Sequence, residues 1–226
     1  VLGGFSYVND LSEFTIIAAM MAINLSGYPK LIKYYESGDT ENFNKQSKFN
    51  LSMHFIIFLT ITIFYNSFAP LLKDTIITRE YYYYLEKIFY LILLGSFFKG
   101  LKIYYVDHFL LILHNKKINI ISTLLYLLLS ILLIPYFTNK YGLTGVTYSF
   151  VGLNMFYLLV NSVLIIKKYR IEIFNVITSA SIIVITINAL TFNNSILLNT
   201  CVLFLFVGSI YKLTKDESSN LLARFK

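Results

Sequence analysis

The chain has 226 residues, 57% of them hydrophobic and 14% charged, with a formal net charge of +7 and a mean hydropathy of +0.65. Soluble domains carry about 25% charged residues, so this composition excludes a water-soluble globular protein and reads as an integral membrane protein. In such a chain the basic excess points to cytoplasmic loops and anionic lipid headgroups rather than to nucleic acid. The lone Cys201 lies in an apolar run, which excludes an intramolecular disulfide framework or a cysteine-rich metal site.

Seven apolar segments stand out, at 4–27, 48–70, 86–113, 118–137, 143–166, 174–192 and 195–213. Each is near the ~20 residues that cross a bilayer as a helix. The expected fold is therefore all-α, a single polytopic transmembrane bundle over 1–226 with no boundary between independent domains. The opening VLGGFSYVND has no basic region ahead of a short apolar core, so no secretory signal peptide is expected. It also lacks an initiating methionine, as a fragment would.

The first segment holds Asn9, Asp10 and Glu13, the two acids sharing a face at i and i+3. Acids within a membrane can carry protons or bind a coupling cation, so Asp10 and Glu13 are coupling candidates. Their structural alternatives are a salt bridge to Lys99 or Lys102, or exposure at an interface. Next comes the long connector YPKLIKYYESGDTENFNKQ, where Pro29 follows the span, Gly38 breaks the chain, and Asp39 or Thr40 can cap a helix ahead of Glu41.

The third segment, within Leu85–Asn115, carries Lys99 and Lys102 near its middle. A lysine at the centre of a span costs roughly 2.5–3.5 kcal/mol and usually faces a bundle interior or a watery cavity. At i and i+3 the two share a face. That face either lines a polar path, forms an internal ion pair that only holds helices together, or snorkels toward an interface.

In the fifth segment Thr147, Asn154 and Asn161 recur every seven residues along one stripe. Interhelical hydrogen bonding accounts for Asn161, while the more central Asn154 is a cavity candidate. Gly142, Gly145 and Gly152 match no phosphate-binding loop and suit close helix packing. His54, His108 and His114 have no metal-ligand spacing and suit packing or interface hydrogen bonds. No metal or other cofactor is expected, and with no supported Ser/His/Asp set and only short outer connectors the chain does not read as an enzyme.

Orientation follows from Lys and Arg in alternate connectors. One set comprises Lys30, Lys33, Lys45, Lys48, Lys116, Lys117, Lys167, Lys168, Arg170, Lys212, Lys215, Arg224 and Lys226. The other holds only Lys73, Arg79, Lys87 and Lys140. The richer side is cytoplasmic by the positive-inside rule, which puts the C-terminus inside and Tyr81 to Tyr84 at the outer interface.

The stretch GGFSYVNDLSEFTIIAAMMAINLSGYPKLIKYYESGDTENFNK resembles bacterial polysaccharide flippases of the MATE-like exporter superfamily, in which a G-x-(Y/F)-S start leads through a span to a proline and then to G-D. The later YGLTGVTYSF is similar to the family's Y-G-x-x-G-V/A loop before another span. The resemblance implies two six-helix lobes around a cavity, with this chain as the C-terminal portion lacking the N-terminal lobe. It implies translocation of undecaprenyl-diphosphate-linked oligosaccharide across the bacterial cytoplasmic membrane, with the bilayer, the other lobe and polysaccharide polymerase machinery as partners. Lys99 and Lys102 would face the diphosphate, as lysine suits phosphate. The alternatives are a cation-coupled exporter of small organic molecules and a non-transporting scaffold of a polysaccharide assembly complex.

Overall fold

The computed structural model describes residues 2–75, 79–113 and 116–169. They form helices α1 (Leu2–Glu36), α2 (Thr40–Thr75), α3 (Arg79–Leu101), a π-helical turn (Lys102–Val106), α4 (Asp107–Ile112), α5 (Lys116–Tyr141) and α6 (Leu143–Tyr169). Five stretches are long and apolar enough to cross a membrane: Phe5–Glu36, Thr40–Tyr65, Ile88–Ile112, Lys117–Tyr141 and Leu143–Ser162. They overlap the first five expected spans, although the first runs on to Glu36 and the second begins at Thr40. The expected spans at 174–192 and 195–213, and Cys201, lie outside the described residues.

The 35 residues of α1 give a rod of about 52 Å, well beyond a ~30 Å hydrocarbon core. The surplus turns carry the exposed Lys30 and Lys33. Pro29 sits inside α1 rather than after it. Membrane helices tolerate such interruptions because neighbouring groups re-satisfy the freed backbone. Next to Pro29, Gly27 is buried against the Asn50 amide of α2, and an added Cβ would collide with it.

Gly38, at φ +71, ends α1 in the left-handed conformation that glycine adopts without a Cβ clash. The Asp39 backbone N–H donates to the Tyr34 carbonyl at 3.0 Å. Asp39 Oδ1 then accepts the Asn42 backbone N–H at 3.0 Å, so Asp39 is the N-cap of α2, as its side chain and position lead one to expect.

Side-chain partners fix the helix directions. Thr15 with Tyr65 and Gly27 with Asn50 make α2 antiparallel to α1. Glu13 with Lys99 and Asn24 with His108 rise together, so α1 and α3–α4 run parallel. Gly95 with Phe150 and Lys102 with Tyr157 place α6 parallel to α3 on another side, while Ser149 with Leu133 makes α5 antiparallel to α6.

The α3 rod is the centre. In the most apolar part of Ile88–Ile112 56% of residues are buried, against 6% in that of Lys117–Tyr141, which lies at the periphery of the described helices. Lipid tails are as apolar as leucine, so packing rather than water exclusion holds such an interior together. Phe97 of α3 stacks on Phe58 at 4.2 Å and meets Phe55 edge-on at 5.2 Å. Ile16, Met20, Ile88, Ile92 and Leu93 are buried in the same apolar cluster.

Three glycines expected to serve close packing divide into three roles. Gly142, at φ +59, forms the turn between α5 and α6. Gly145 lets α6 approach the Phe137 carbonyl of α5, where a Cβ would clash, and Gly152 has open space beside it.

Candidate functional site

Lys99 reaches from the last turn of α3 to α1, where its Nζ donates to Glu13 Oε1. The other Glu13 oxygen accepts from Asn9 Nδ2 at 3.1 Å. Asp10, one turn earlier, takes no part in this pair: it is exposed and accepts from Ser6 Oγ at 3.3 Å. The α1–α3 contact line therefore separates two acids that share a broad helix face. Glu13 faces α3, and Asp10 faces away from it.

Lys102 is held differently. Its Nζ lies 2.8 Å from Asp107 Oδ2, five residues along the same strand of chain. In a regular α-helix, five residues turn through about 500°, leaving the two side chains about 140° apart. The π turn closes i→i+5 hydrogen bonds instead, here from the Asp107 backbone N–H to the Lys102 carbonyl. That extra residue brings Asp107 back over Lys102. The ammonium also sits 4.1 Å above the Tyr157 ring of α6, a cation–π contact. The Tyr157 hydroxyl is anchored by α5, bonding Thr123 Oγ1 and donating to Asn119 Oδ1 at 3.4 Å.

The same turn positions His108. Its Nδ1 lies 2.9 Å from the Ile103 carbonyl, so this nitrogen carries the proton, leaving Nε2 to accept from Asn24 Nδ2 of α1 at 2.9 Å. The Tyr28 ring meets His108 edge-on at 4.4 Å. His54 is buried, with Nδ1 2.6 Å from the Asn50 carbonyl. Both therefore have the packing and hydrogen-bonding roles expected for them, while His114 lies outside the described residues. No group of three or more potential metal ligands occurs among the described residues.

The Thr147–Asn154–Asn161 stripe is buried, and its hydrogen bonds run along α6 itself. Asn154 Nδ2 donates to the Phe150 carbonyl at 2.8 Å, and Asn161 Nδ2 to the Tyr157 carbonyl at 3.0 Å. The interhelical bond expected of Asn161 is absent among the described residues, where its Oδ1 has no partner. Asn154 lies one turn before Tyr157 and so shares the side of α6 that meets Lys102.

The assembled site has two lysines, Lys99 and Lys102, each neutralised by a carboxylate inside the span, one from a neighbouring helix and one from across the π turn. Both ammonium groups are thus charge-paired, Lys102 more fully enclosed than Lys99, with side chains 11% and 36% exposed. Asp107 and Tyr157 complete the site although the lysine spacing alone does not reveal them. The usable signal is Asp107 itself, a charge within a span, which by its desolvation cost demands a partner. No protein-family model, curated protein or solved structure matches the chain.

Proposed function

We propose that the chain is the second lobe of a MATE-like transporter, seven spans in all. It moves undecaprenyl-diphosphate-linked oligosaccharide across the bacterial cytoplasmic membrane by alternating access. The observation that carries this reading is the pair of lysines held within the central span by carboxylates on separate tethers. Permanent intramembrane charge is costly and marks substrate or ion pathways by default. A diphosphate offers each lysine charge-assisted bonds of the kind the carboxylates now supply, so exchange of partners keeps the ammonium groups paired throughout. The lipid tail stays in the bilayer meanwhile. Protonation of Glu13 would release Lys99 and so couple a proton to substrate capture.

Removing lysines alone would strand Glu13 and Asp107, so the test neutralises whole pairs. The variant Glu13→Gln/Lys99→Gln/Lys102→Gln/Asp107→Asn, in the full-length gene product, should reach normal membrane abundance and lose surface polysaccharide. Unchanged polysaccharide output at that abundance overturns the proposal.

A second reading draws on the same observation: each lysine already has a partner, as in a scaffold whose charges only hold helices together. The exchange Glu13→Lys/Lys99→Glu separates the two. A scaffold keeps its function because the pair is restored in reverse. A transporter loses it, because the ammonium has moved to α1.

A further inference from the structure

The π turn at Lys102–Val106 places one extra residue in an otherwise continuous α3–α4 rod. Such turns carry less regular hydrogen bonding than α-helix and recur at functional sites. Upstream the rod is fixed: Phe97 lies between Phe55 and Phe58, Gly95 abuts Phe150, and Lys99 is paired with Glu13. Downstream, the polar contacts of Asp107 and His108 depend on the added residue. They are Lys102 with Asp107, His108 with the Ile103 carbonyl, and His108 with Asn24.

Converting the π turn to α-helix turns everything downstream by about 100° and advances it by about 1.5 Å. Asp107 then leaves Lys102, and His108 leaves Asn24. Lys102 keeps only the Tyr157 ring, whose hydroxyl stays anchored on α5. The Lys102–Asp107 pair is also incompletely satisfied, since Asp107 Oδ1 is buried with no hydrogen-bond partner among the described residues. Buried pairs hold well only when their remaining lone pairs are also bonded, so this one is built to open.

We infer that the π turn is a register switch in α3–α4 that toggles Lys102 between a carboxylate-bound state and a released state able to take an anion. The switch stands on the geometry of the central rod. Its use in translocation rests on the transport reading above.

Leu25 on α1 and Leu111 on α4 both lie on the outside of the bundle, 70% and 49% exposed, and accept spin labels without disturbing the interior. The full-length protein, with Cys201→Ser and cysteines at these two positions, is measured in lipid nanodiscs by pulsed dipolar spectroscopy. Two distances are expected, separated by roughly 5 Å or more, because a ~100° turn sweeps a label around a helix ~10 Å across. Asp107→Asn should enrich the distance that is minor in the parent. Deleting Ile103 should leave a single distance, because an α-helix then holds Lys102 and the aspartate at i and i+4. A single distance in the parent that Asp107→Asn does not alter overturns the switch. Two distances that respond to Asp107→Asn, alongside unchanged polysaccharide output in the four-residue neutral variant, leave the switch standing and remove the transport reading instead.

Discussion

Lys102 and Asp107 are both largely sequestered, with side chains 11% and 18% exposed, so each depends on the other for its charge. Breaking a buried pair by removing one partner typically costs about 3–5 kcal/mol, whereas replacing both by apolar groups of similar volume is often neutral or stabilising. Lys102→Met and Asp107→Leu alone should each lower stability by about 3 kcal/mol, and the double variant should recover most of that loss. Chemical unfolding in detergent micelles measures it. Additive losses would mean that the two residues are not coupled. The same pair shows how far the site is legible from residue spacing. Lys99 and Lys102 stand out because lysines are rare in spans, and a salt bridge from Glu13 to Lys99 is among the alternatives that the sequence leaves open for the acids of the first span. Asp107 is hidden because i, i+5 belongs to no regular helix face, and Tyr157 because an aromatic under a lysine has no signature in spacing.

Helix ends are legible where local chemistry decides them. Gly38 and Asp39 stop one helix and start the next as their backbone freedom and capping oxygen require, whereas Gly142, expected to serve close packing, stops α5. Pro29 is misleading punctuation, since like Pro135, which falls within the expected span 118–137, it lies inside a helix that tertiary neighbours in a membrane can keep continuous. The π turn has no sequence mark at all, because its contacts are tertiary, with α1, α2 and α6. Glycines within one short stretch, YGLTGVTYSFVG, then make an element-scale test. Gly142→Ala should cost about 1–2 kcal/mol, the penalty of a left-handed L-residue. Gly145→Ala should cost about 1–3 kcal/mol by driving α6 off the Phe137 carbonyl, the usual range for overpacking. Gly152→Ala, in open space, should gain up to about 1 kcal/mol of helix propensity. Thermal unfolding of the three variants ranks them, and a destabilising Gly152→Ala would contradict the packing described.

At the scale of the whole molecule, parallel α1, α3–α4 and α6 alternate with antiparallel α2 and α5, so chain direction reverses at every turn and the basic residues sort by end. Lys30, Lys33, Lys45, Lys48 and Lys117 are exposed at the end that holds the α1–α2 turn. At the α5–α6 turn the described side chains include only Lys140, whose Nζ lies 5.2 Å from the Tyr141 ring centroid. The positive-inside rule counts lysine and arginine near span ends and gives acids little weight, so Glu36, Asp39 and Glu41 beside the first cluster do not cancel it. The α1–α2 turn is therefore expected in the cytoplasm and the α5–α6 turn outside. Ser37 and Asn139 are exposed at these two turns and serve as reporters in a Cys201→Ser background. In intact cells a membrane-impermeant maleimide should label Asn139→Cys and leave Ser37→Cys unmodified until the membrane is permeabilised. Labelling of Ser37→Cys but not Asn139→Cys before permeabilisation would invert the topology. Lys102, which follows Lys99 along α3–α4, would then lie farther from the cytoplasm than Lys99 and meet a substrate arriving from that side second rather than first.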